Sequence, residues 1–271
     1  TASQPANDDD LAATKNFVLT VRKGTPVLTA TADVSSTFGE VGPTIAKPTS
    51  ESRGAVTFAS SNTAVATINA TTGQVVVVGA GTSTITITQA ATDDYVTATQ
   101  TLTFTVKQAT PTLGKLTIES KTFGDAEFTI ENPTSPSSGA FTFSSSNSKI
   151  VKISEASKAS VEGAGTTTIT ATQAASGNYA ANSVTVDITV AKGAPELSNI
   201  SLTGLVFGDA DTTMAPRSTS SGAFTFSSNN ARVLTVNEKT GVVRVVGAGT
   251  ATITVKQAST TNYEAASSSV T

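Results

Sequence analysis

The sequence predicts an all-β protein made of tandem β-sandwiches, and two observations carry this prediction. The first is a repeat: the motif Gly-Ala-Gly occurs at residues 79–81, 163–165 and 247–249, a spacing of 84 residues (163 − 79 and 247 − 163). The second is a period of two in hydrophobicity, clearest where Val184, Val186, Ile188 and Val190 alternate with polar residues. A fixed long period indicates serial copies of one unit, and strict alternation indicates strands with one buried face.

Further landmarks keep the same register in every copy. Each copy has a Phe-Gly pair, then a Phe that ends a Gly-Ala-x-Thr-Phe run, then a Gln, and a Tyr six residues after that Gln. These landmarks are Phe38-Gly39, Phe123-Gly124 and Phe207-Gly208; Phe58, Phe143 and Phe226; Gln89, Gln173 and Gln257; and Tyr95, Tyr179 and Tyr263. We therefore predict the last strand or strands of a preceding repeat at residues 1–22, followed by repeat 1 (23–107), repeat 2 (108–191) and repeat 3 (192–271).

About seven strands are predicted for each repeat, because turn signals recur at roughly ten-residue intervals. In repeat 2 the predicted strands lie near Thr112–Glu119, Glu127–Glu131, Ala140–Ser144, Val151–Ser154, Ala159–Glu162, Thr166–Thr172 and Val184–Val190. Two sheets would bury the apolar side chains that alternate along these strands. The predicted core of repeat 2 is Phe141 or Phe143, Ile153, Val161, Ile169, Val186 and Ile188.

The composition excludes several classes of function. The chain has no cysteine, histidine or tryptophan, a net charge of −3 and only 14% charged residues. Without His or Cys there is no Ser-His-Asp or Cys-His catalytic group, and without Cys there is no disulfide or thiolate metal site. A nucleic-acid-binding domain would carry a basic face. We expect no enzymatic activity, no cofactor, no nucleic-acid partner and no membrane insertion.

Three runs of repeat 2 resemble a known family. They are Gly-Ala-Phe-Thr-Phe-Ser-Ser-Ser-Asn (139–147), Lys-Ile-Val-Lys-Ile (149–153) and Gly-Ala-Gly-Thr-Thr-Thr-Ile-Thr-Ala (163–171). They are similar to the bacterial immunoglobulin-like domain, group 2, with Phe58, Phe143 and Phe226 where that family often has Trp. The resemblance implies tandem immunoglobulin-like β-sandwiches, as in bacterial surface adhesins of the invasin and intimin kind and in phage virion proteins.

The repeats are joined by short links that lead to a proline: residues 22–26, 107–111 and 191–195 end at Pro26, Pro111 and Pro195. Proline fixes its own φ and biases the residue before it towards extended geometry. Such links resist bending, so we expect an elongated rod. Each repeat would lengthen that rod by roughly 35–45 Å.

Calcium is the one ionic ligand that the sequence suggests. Asp8, Asp9 and Asp10 fall in the same inter-strand loop of the repeat as Asp93 and Asp94, and carboxylate oxygens suit a hard cation. A solvated acidic turn is the favoured interpretation, because no spaced series of ligands is present. The change of Asp93-Asp94 to Gly177-Asn178 and Thr261-Asn262 in the later repeats is interpreted as surface drift.

Two further sets of polar residues recur in every repeat. Glu40, Asp125 and Asp209 follow the Phe-Gly pairs, and we predict turns in which Gly has a positive φ and the acid caps backbone amides. The three Gln residues are predicted to satisfy loop backbone groups, and the Tyr residues to close a loop onto the sandwich as a tyrosine corner does. The alternative for Tyr95, Tyr179 and Tyr263 is a repeated contact stripe for glycans or a partner.

The two ends of the chain leave two interpretations open. Asn16–Val21 is predicted to be an apolar strand without a sandwich of its own, and repeat 3 lacks its complete final strand. Either the chain is a window from a longer array, which we favour, or residues 16–22 of one molecule complete repeat 3 of the next by strand donation. Both interpretations predict an exposed sheet edge and a tendency to self-associate.

The function predicted from these features is a structural stalk or spacer of a long extracellular, adhesin-like protein at a cell or virion surface. It would project a distal binding tip. The expected partners are neighbouring repeats of the same or an adjacent chain, with any surface glycan or receptor contacted by regions outside this chain. The alternatives are a self-assembling fibre subunit joined by strand donation, and a carbohydrate- or receptor-binding module.

Overall fold

The computed structural model describes residues 1–155 and 157–271, and every regular element in this part of the chain is a β-strand. The chain divides into two compact units, residues 1–110 with 176–180, and residues 111–175 with 181–271. The strands of the first unit are β1 (Ala2–Gln4), β2 (Ala13–Lys15), β3 (Val34–Thr37), β4 (Val56–Ser60), β5 (Ala66–Ile68), β6 (Val75–Val77), β7 (Gly81–Gln89) and β8 (Ala98–Lys107).

The first unit is a two-sheet sandwich preceded by a short hairpin of β1 and β2. One sheet has the order β3-β8-β7-β4 and the other pairs β5 with β6. On β7 the side chains of Ile85 and Ile87 are fully buried between the sheets, whereas Thr84, Thr86 and Thr88 alternate with them on the opposite, more open face. Period-two alternation therefore builds this core. Its buried members are Ile45, Phe58, Val65, Ala66, Val75, Ile85, Ile87, Leu102, Phe104 and Val106.

The second unit contains two further sandwich cores. Its strands are β9 (Lys121–Thr122), β10 (Phe128–Thr129), β11 (Phe141–Ser145), β12 (Val151–Ile153), β13 (Lys158–Val161), β14 (Gly165–Gln173), β15 (Asn182–Ala191), β16 (Leu197–Ser198), β17 (Thr212–Thr213), β18 (Arg217–Ser218), β19 (Phe224–Ser228), β20 (Leu234–Val236), β21 (Val242–Val245), β22 (Ile253–Gln257) and β23 (Ala266–Val270). The sheet orders are β9-β15-β14-β11 and β10-β13-β12 around one core, and β19-β22-β23, β17-β21-β20 and β16-β18 around the other.

Six of the seven strands predicted for repeat 2 are confirmed, with shifted ends, and the first is wrong. The segment 112–119 forms no strand, and β9 follows it instead. Its apolar residues still enter the core, where Leu116 is buried and Ile118 packs beside it. Its backbone forms a hydrogen bond outside any β-ladder, in which Gly114 N donates to Thr134 O at 2.8 Å. The hydrophobic pattern of residues 112–119 therefore predicted correctly which side chains are buried, but it did not predict whether the backbone pairs with another strand.

The predicted core of repeat 2 is largely confirmed. Ile169 and Ile188 are buried, and the other predicted residues pack against the cluster as partly buried side chains. Phe58 and Phe226 are buried, as expected for Phe in the position where the family often has Trp, while Phe143 is partly buried.

The predicted strand at Asn16–Val21 is also wrong. The β1–β2 hairpin pairs Gln4 with Ala13, which is the register in which β7 and β8 pair Gln89 with Ala98. Continuing that register, Asn16 lies opposite Thr1, with Thr1 Oγ1 donating to Asn16 Oδ1 at 3.1 Å, and the paired ladder ends at Lys15. The side chains of this segment are open to solvent, with Phe17 64% and Leu19 87% exposed.

Candidate functional site

Each link to a repeat is held by one loop of that repeat, which we call the tyrosine loop (residues 92–96, 176–180 and 260–264). Gly24, Ala109 and Gly193 form parallel bridges with Tyr95, Tyr179 and Tyr263. In repeat 2, Ala109 N donates to Asn178 O and Ala180 N donates to Ala109 O, both at 2.9 Å. Because both the amide and the carbonyl of Ala109 are hydrogen-bonded to the tyrosine loop, the link is fixed to its own repeat at this residue.

The tyrosine rings of the second and third loops pack against the Phe-Gly turn of the preceding repeat. Tyr179 meets Phe38 edge to face, with ring centroids 5.7 Å apart and planes at 80°. Tyr263 meets Phe123 in the same way, at 5.2 Å and 84°. Phe38 and Tyr179 both belong to the first compact unit, which includes residues 176–180, and Phe123 and Tyr263 both belong to the second. The tyrosine-corner prediction is thereby corrected, since these rings contact the preceding repeat.

An asparagine beside each of these tyrosines bonds the Gly-Ala-Gly motif of the preceding repeat. Ala80 N donates to Asn178 Oδ1 at 2.8 Å, and Ala164 N donates to Asn262 Oδ1 at 3.0 Å. Glycine permits this approach: a Cβ at Gly79 would lie 2.7 Å from Ala64 O and 3.2 Å from Asn178 Oδ1. The most regular motif of the sequence is therefore part of a docking surface.

We name this surface the socket: the Phe-Gly turn together with the Gly-Ala-Gly motif of one repeat. Its turn is fixed by the acid that follows it, since Thr37 N donates to Glu40 Oε2 at 2.7 Å and Gly39 has a φ of 90°. Asp125 and Asp209 cap their turns in the same way, each at 2.8 Å, so the predicted turn is confirmed in all three repeats. The turn is also tied to the last strand of its own repeat, through Phe38 N to Lys107 O at 2.9 Å.

The three glutamines satisfy loop carbonyls, as predicted. Gln173 Nε2 donates to Ser137 O and Gly139 O at 3.0 and 2.9 Å, and its Oε1 accepts from Ser135 Oγ at 2.6 Å. Gln257 repeats this pattern. Gln89 has only the carbonyl contacts, at 2.9 and 3.4 Å, and its Oε1 is the one buried side-chain polar atom without a partner in the described residues.

We predict that Gln173→Met destabilises repeat 2 by about 2–4 kcal/mol, because the near-isosteric side chain leaves buried carbonyls without donors. Denaturant unfolding of the chain measures this loss. The matched control is Gln89→Met in repeat 1, which removes fewer and longer bonds and should cost less. Equal costs for the two substitutions would contradict the assigned difference in bonding.

The calcium candidates occupy two exposed turns. Asn7 Oδ1 accepts from Asp9 N and Asp10 N at 3.0 and 2.7 Å, so this turn is closed by its own asparagine. Asp94 belongs to the tyrosine loop of repeat 1, and its backbone O accepts from Gly24 N of the link at 2.8 Å. Within residues 1–155 and 157–271 no group of three or more acidic side chains is arranged to hold a metal ion.

The sequence reasoning missed the asparagines of the site. Asn178 and Asn262 were interpreted as drift of the Asp93-Asp94 pair, yet both make the same contact to the preceding repeat. The available signal was that Asn directly precedes Tyr in both positions, 84 residues apart.

The part of the chain that the structure describes contains no helix with the length and apolar character needed to cross a membrane.

Comparison with known proteins identifies the type of domain. Residues 42–91 and 129–175 match the family described as the intimin, immunoglobulin-like domain. The matched segments lie in two successive repeats, and this match agrees with the resemblance to intimin-type immunoglobulin-like domains predicted from the sequence. No curated protein sequence matches the chain.

Several solved structures of tandem domains are weakly similar. Drosophila N-cadherin EC1-3 is 11% identical, with 89% of this chain and 96% of that chain covered and a TM-score of 0.33. Sidekick-1 immunoglobulin domains 1–5 are 12% identical, with 92% and 59% covered and a TM-score of 0.37. Drosophila OTK extracellular domains 3–5 are 6% identical, with 89% and 94% covered and a TM-score of 0.30. At these values the similarities carry no further conclusion.

Proposed function

We propose, from the match of two successive repeats to the intimin immunoglobulin-like domain, that the chain is a structural spacer of a long extracellular, adhesin-like repeat protein. It would hold a distal binding tip away from a cell or virion surface and would have no catalytic role. The observation that carries the proposal is the repeated contact between a socket and the tyrosine loop of the next repeat. The same two contacts recur at both internal junctions, which is what serial transmission of position and force requires.

The pairing of terminal strands also supports a load-bearing role. In repeat 1, β3 runs parallel to β8 over four residue pairs, from Val34 beside Phe104 to Thr37 beside Lys107. In repeat 2, β9 runs parallel to β15 over two pairs. Tension enters a repeat before its first strand and leaves after its last strand. It therefore pulls the two parallel strands past each other, so that all the bonds between them share the load.

Binding assays test the spacer role against the binding-module alternative. We expect the purified 271-residue chain to show no saturable binding to host-cell surfaces or to an array of surface glycans. In the parent protein, replacing this segment by an unrelated tandem-domain spacer of equal length should preserve adhesion. Saturable, competable binding by the isolated chain would overturn the spacer role.

Strand donation is a second candidate, favoured by the exposed apolar segment at residues 16–21. Phe17, Val18, Leu19 and Val21 are 64%, 95%, 87% and 85% exposed, an unusual run of open apolar side chains. In a fibre, this segment of one molecule would add to the edge of the β22–β23 sheet of another. The intact mass of the protein isolated from its source separates the candidates, because a fibre subunit of this sequence has a mass near 27.2 kDa and a stalk segment belongs to a larger chain.

A further inference from the structure

Two Asn-x-Ser/Thr triplets in which x is not proline occur in the chain, at residues 69–71 and 199–201. This triplet is the acceptor sequence for N-linked sugars in secreted proteins. Both asparagines are exposed in the folded chain, which is the first requirement for modification. The second requirement is a side-chain nitrogen that is free to react, and the structure distinguishes the two triplets on this point.

Asn69 lies in the turn that joins β5 to β6 and closes this turn with its side-chain oxygen. Oδ1 accepts from Thr71 N at 3.0 Å, from Thr71 Oγ1 at 2.9 Å and from Thr72 N at 2.9 Å. The backbone is fixed as well, because Asn69 N donates to Gln74 O at 2.9 Å and Gly73 N donates to Asn69 O at 3.0 Å. Within residues 1–155 and 157–271, Asn69 Nδ2 donates to no partner, so the nitrogen is held in place and open to solvent.

Asn199 presents its side chain in the opposite way. Its Nδ2 donates to Ala215 O at 2.5 Å, and its backbone has a φ of 58°. Among the described residues, Ser201 makes no hydrogen bond to Asn199 Oδ1, so the hydroxyl of this triplet is not engaged with its asparagine. The nitrogen of Asn199 is therefore committed to the fold, whereas that of Asn69 is not.

The three donors on Asn69 Oδ1 also favour reaction at the nitrogen. An amide nitrogen is a weak nucleophile because its lone pair is delocalised into the carbonyl. Donors aimed at Oδ1 stabilise the negative charge that builds on this oxygen as Nδ2 loses a proton. In the equivalent turn of repeat 3, Asn237 Oδ1 accepts from Lys239 N at 3.0 Å and Thr240 N at 2.9 Å. The hydroxyl donor of Thr71 is the feature that distinguishes the turn of repeat 1.

We propose that Asn69 is a modification site, at which a glycosyltransferase attaches a sugar to Nδ2 from a phosphate-activated donor. The bond from Nδ2 to the anomeric carbon forms as the bond from that carbon to the donor phosphate breaks. The released phosphate keeps the electron pair of the broken bond and takes up the proton lost from Nδ2. Oδ1 keeps its hydrogen bonds, so the turn is unchanged. The inference goes beyond the spacer role and does not depend on it.

The sugar would lie away from the docking surface of the same repeat. Asn69 lies in the turn between β5 and β6, whereas the Gly-Ala-Gly motif (79–81) follows β6 at the open end of this hairpin. Modification therefore leaves the bond between Ala80 N and Asn178 Oδ1 intact. Hydrogen exchange at the Ala80 amide should be equal in the modified and the unmodified chain.

The folded 271-residue chain is tested in two separate reactions, followed by intact-mass measurement and peptide mapping. One contains a nucleotide-activated hexose with a soluble N-glycosyltransferase, and the other a lipid-linked oligosaccharide with an oligosaccharyltransferase. In at least one reaction we expect one sugar group per chain at Asn69, added at least about tenfold faster than at Asn199. The reaction that succeeds identifies the class of donor, because one adds a single hexose and the other an oligosaccharide.

Variants of the triplet separate the role of the hydroxyl from that of the fold. Thr71→Val should slow modification at least about tenfold, while Thr71→Ser should retain it. Asn69→Asp should abolish modification, since the carboxylate keeps an oxygen for the turn and has no nitrogen to react. Lys239→Thr should create a second modified site at Asn237, because it adds the missing hydroxyl to the equivalent turn of repeat 3. Circular dichroism establishes that each variant is folded.

The denatured chain is the control for enzyme activity in both reactions. The proposal is overturned if Asn69 stays unmodified in the folded chain while the same enzymes modify the denatured chain. It is equally overturned if the folded chain is modified as fast at Asn199 as at Asn69, or if Thr71→Val is modified as fast as the unsubstituted chain.

Discussion

Gly139→Ala is expected to unfold repeat 2 or to destabilise it by about 3 kcal/mol or more. A Cβ at this position would lie 1.9 Å from Ala174 O, a backbone atom that no rotamer change can move. Ala174 is itself fixed, because its N donates to Ala140 O at 2.9 Å beside the β11–β14 ladder. Relief of the clash therefore requires that this end of the sheet separates. Denaturant unfolding and circular dichroism measure the loss.

Gly124→Asn is the control in the same repeat. Gly124 has a φ of 100°, and a Cβ there meets nothing within 4 Å. Asn tolerates positive φ better than most residues, so this substitution should cost about 1 kcal/mol or less. If Gly139→Ala cost no more stability than Gly124→Asn, that result would contradict the close approach of Gly139 to Ala174 O.

Tyr179→Ala is expected to uncouple the tyrosine loop of repeat 2 from the socket of repeat 1. The edge-to-face contact with Phe38 and the burial of the ring together contribute about 1–3 kcal/mol. Loss of this contact frees Asn178, whose Oδ1 accepts from Ala80 N at 2.8 Å. The amide of Ala80 should then exchange about 10–100-fold faster with solvent deuterium, as measured by NMR.

The second junction provides the internal control for this experiment. Tyr263→Ala should accelerate exchange at Ala164, the amide that donates to Asn262 Oδ1, and should leave Ala80 unchanged. Tyr179→Ala should do the reverse. Exchange that rises at both amides with either substitution would indicate general destabilisation, and exchange that rises at neither would contradict a role for the rings in docking.

Most of the fold could be predicted because it depends on local patterns. Alternation along β14 and β15 placed Ile169 and Ile188 in the core, and the Phe-Gly-acid sequence predicted a turn that the structure contains three times. The strand prediction at 112–119 was wrong because alternation reports which side chains are buried, whereas a strand also requires a paired backbone. The strand at Asn16–Val21 was wrong for the same reason, since the β1–β2 ladder pairs the backbone only as far as Lys15.

The docking surface could not be predicted, because its partners are distant in sequence. Ala80 and Asn178 are 98 residues apart, and neither belongs to a residue type that by itself indicates a contact. The repeat showed that Gly-Ala-Gly and Tyr recur, but a period gives no information on which copy of one landmark meets which copy of another. Only the folded chain shows that the tyrosine of one repeat meets the phenylalanine of the repeat before it.

The central claim, that these repeats bear load between a surface and a distal tip, is tested most directly by single-molecule force spectroscopy on the chain held at its two ends. We expect discrete unfolding events, each lengthening the chain by about 250–300 Å for a repeat of 84 residues. Repeat 1, with four parallel pairs between β3 and β8, should resist a higher force than repeat 2, with two pairs between β9 and β15. Smooth extension without discrete events would contradict the claim.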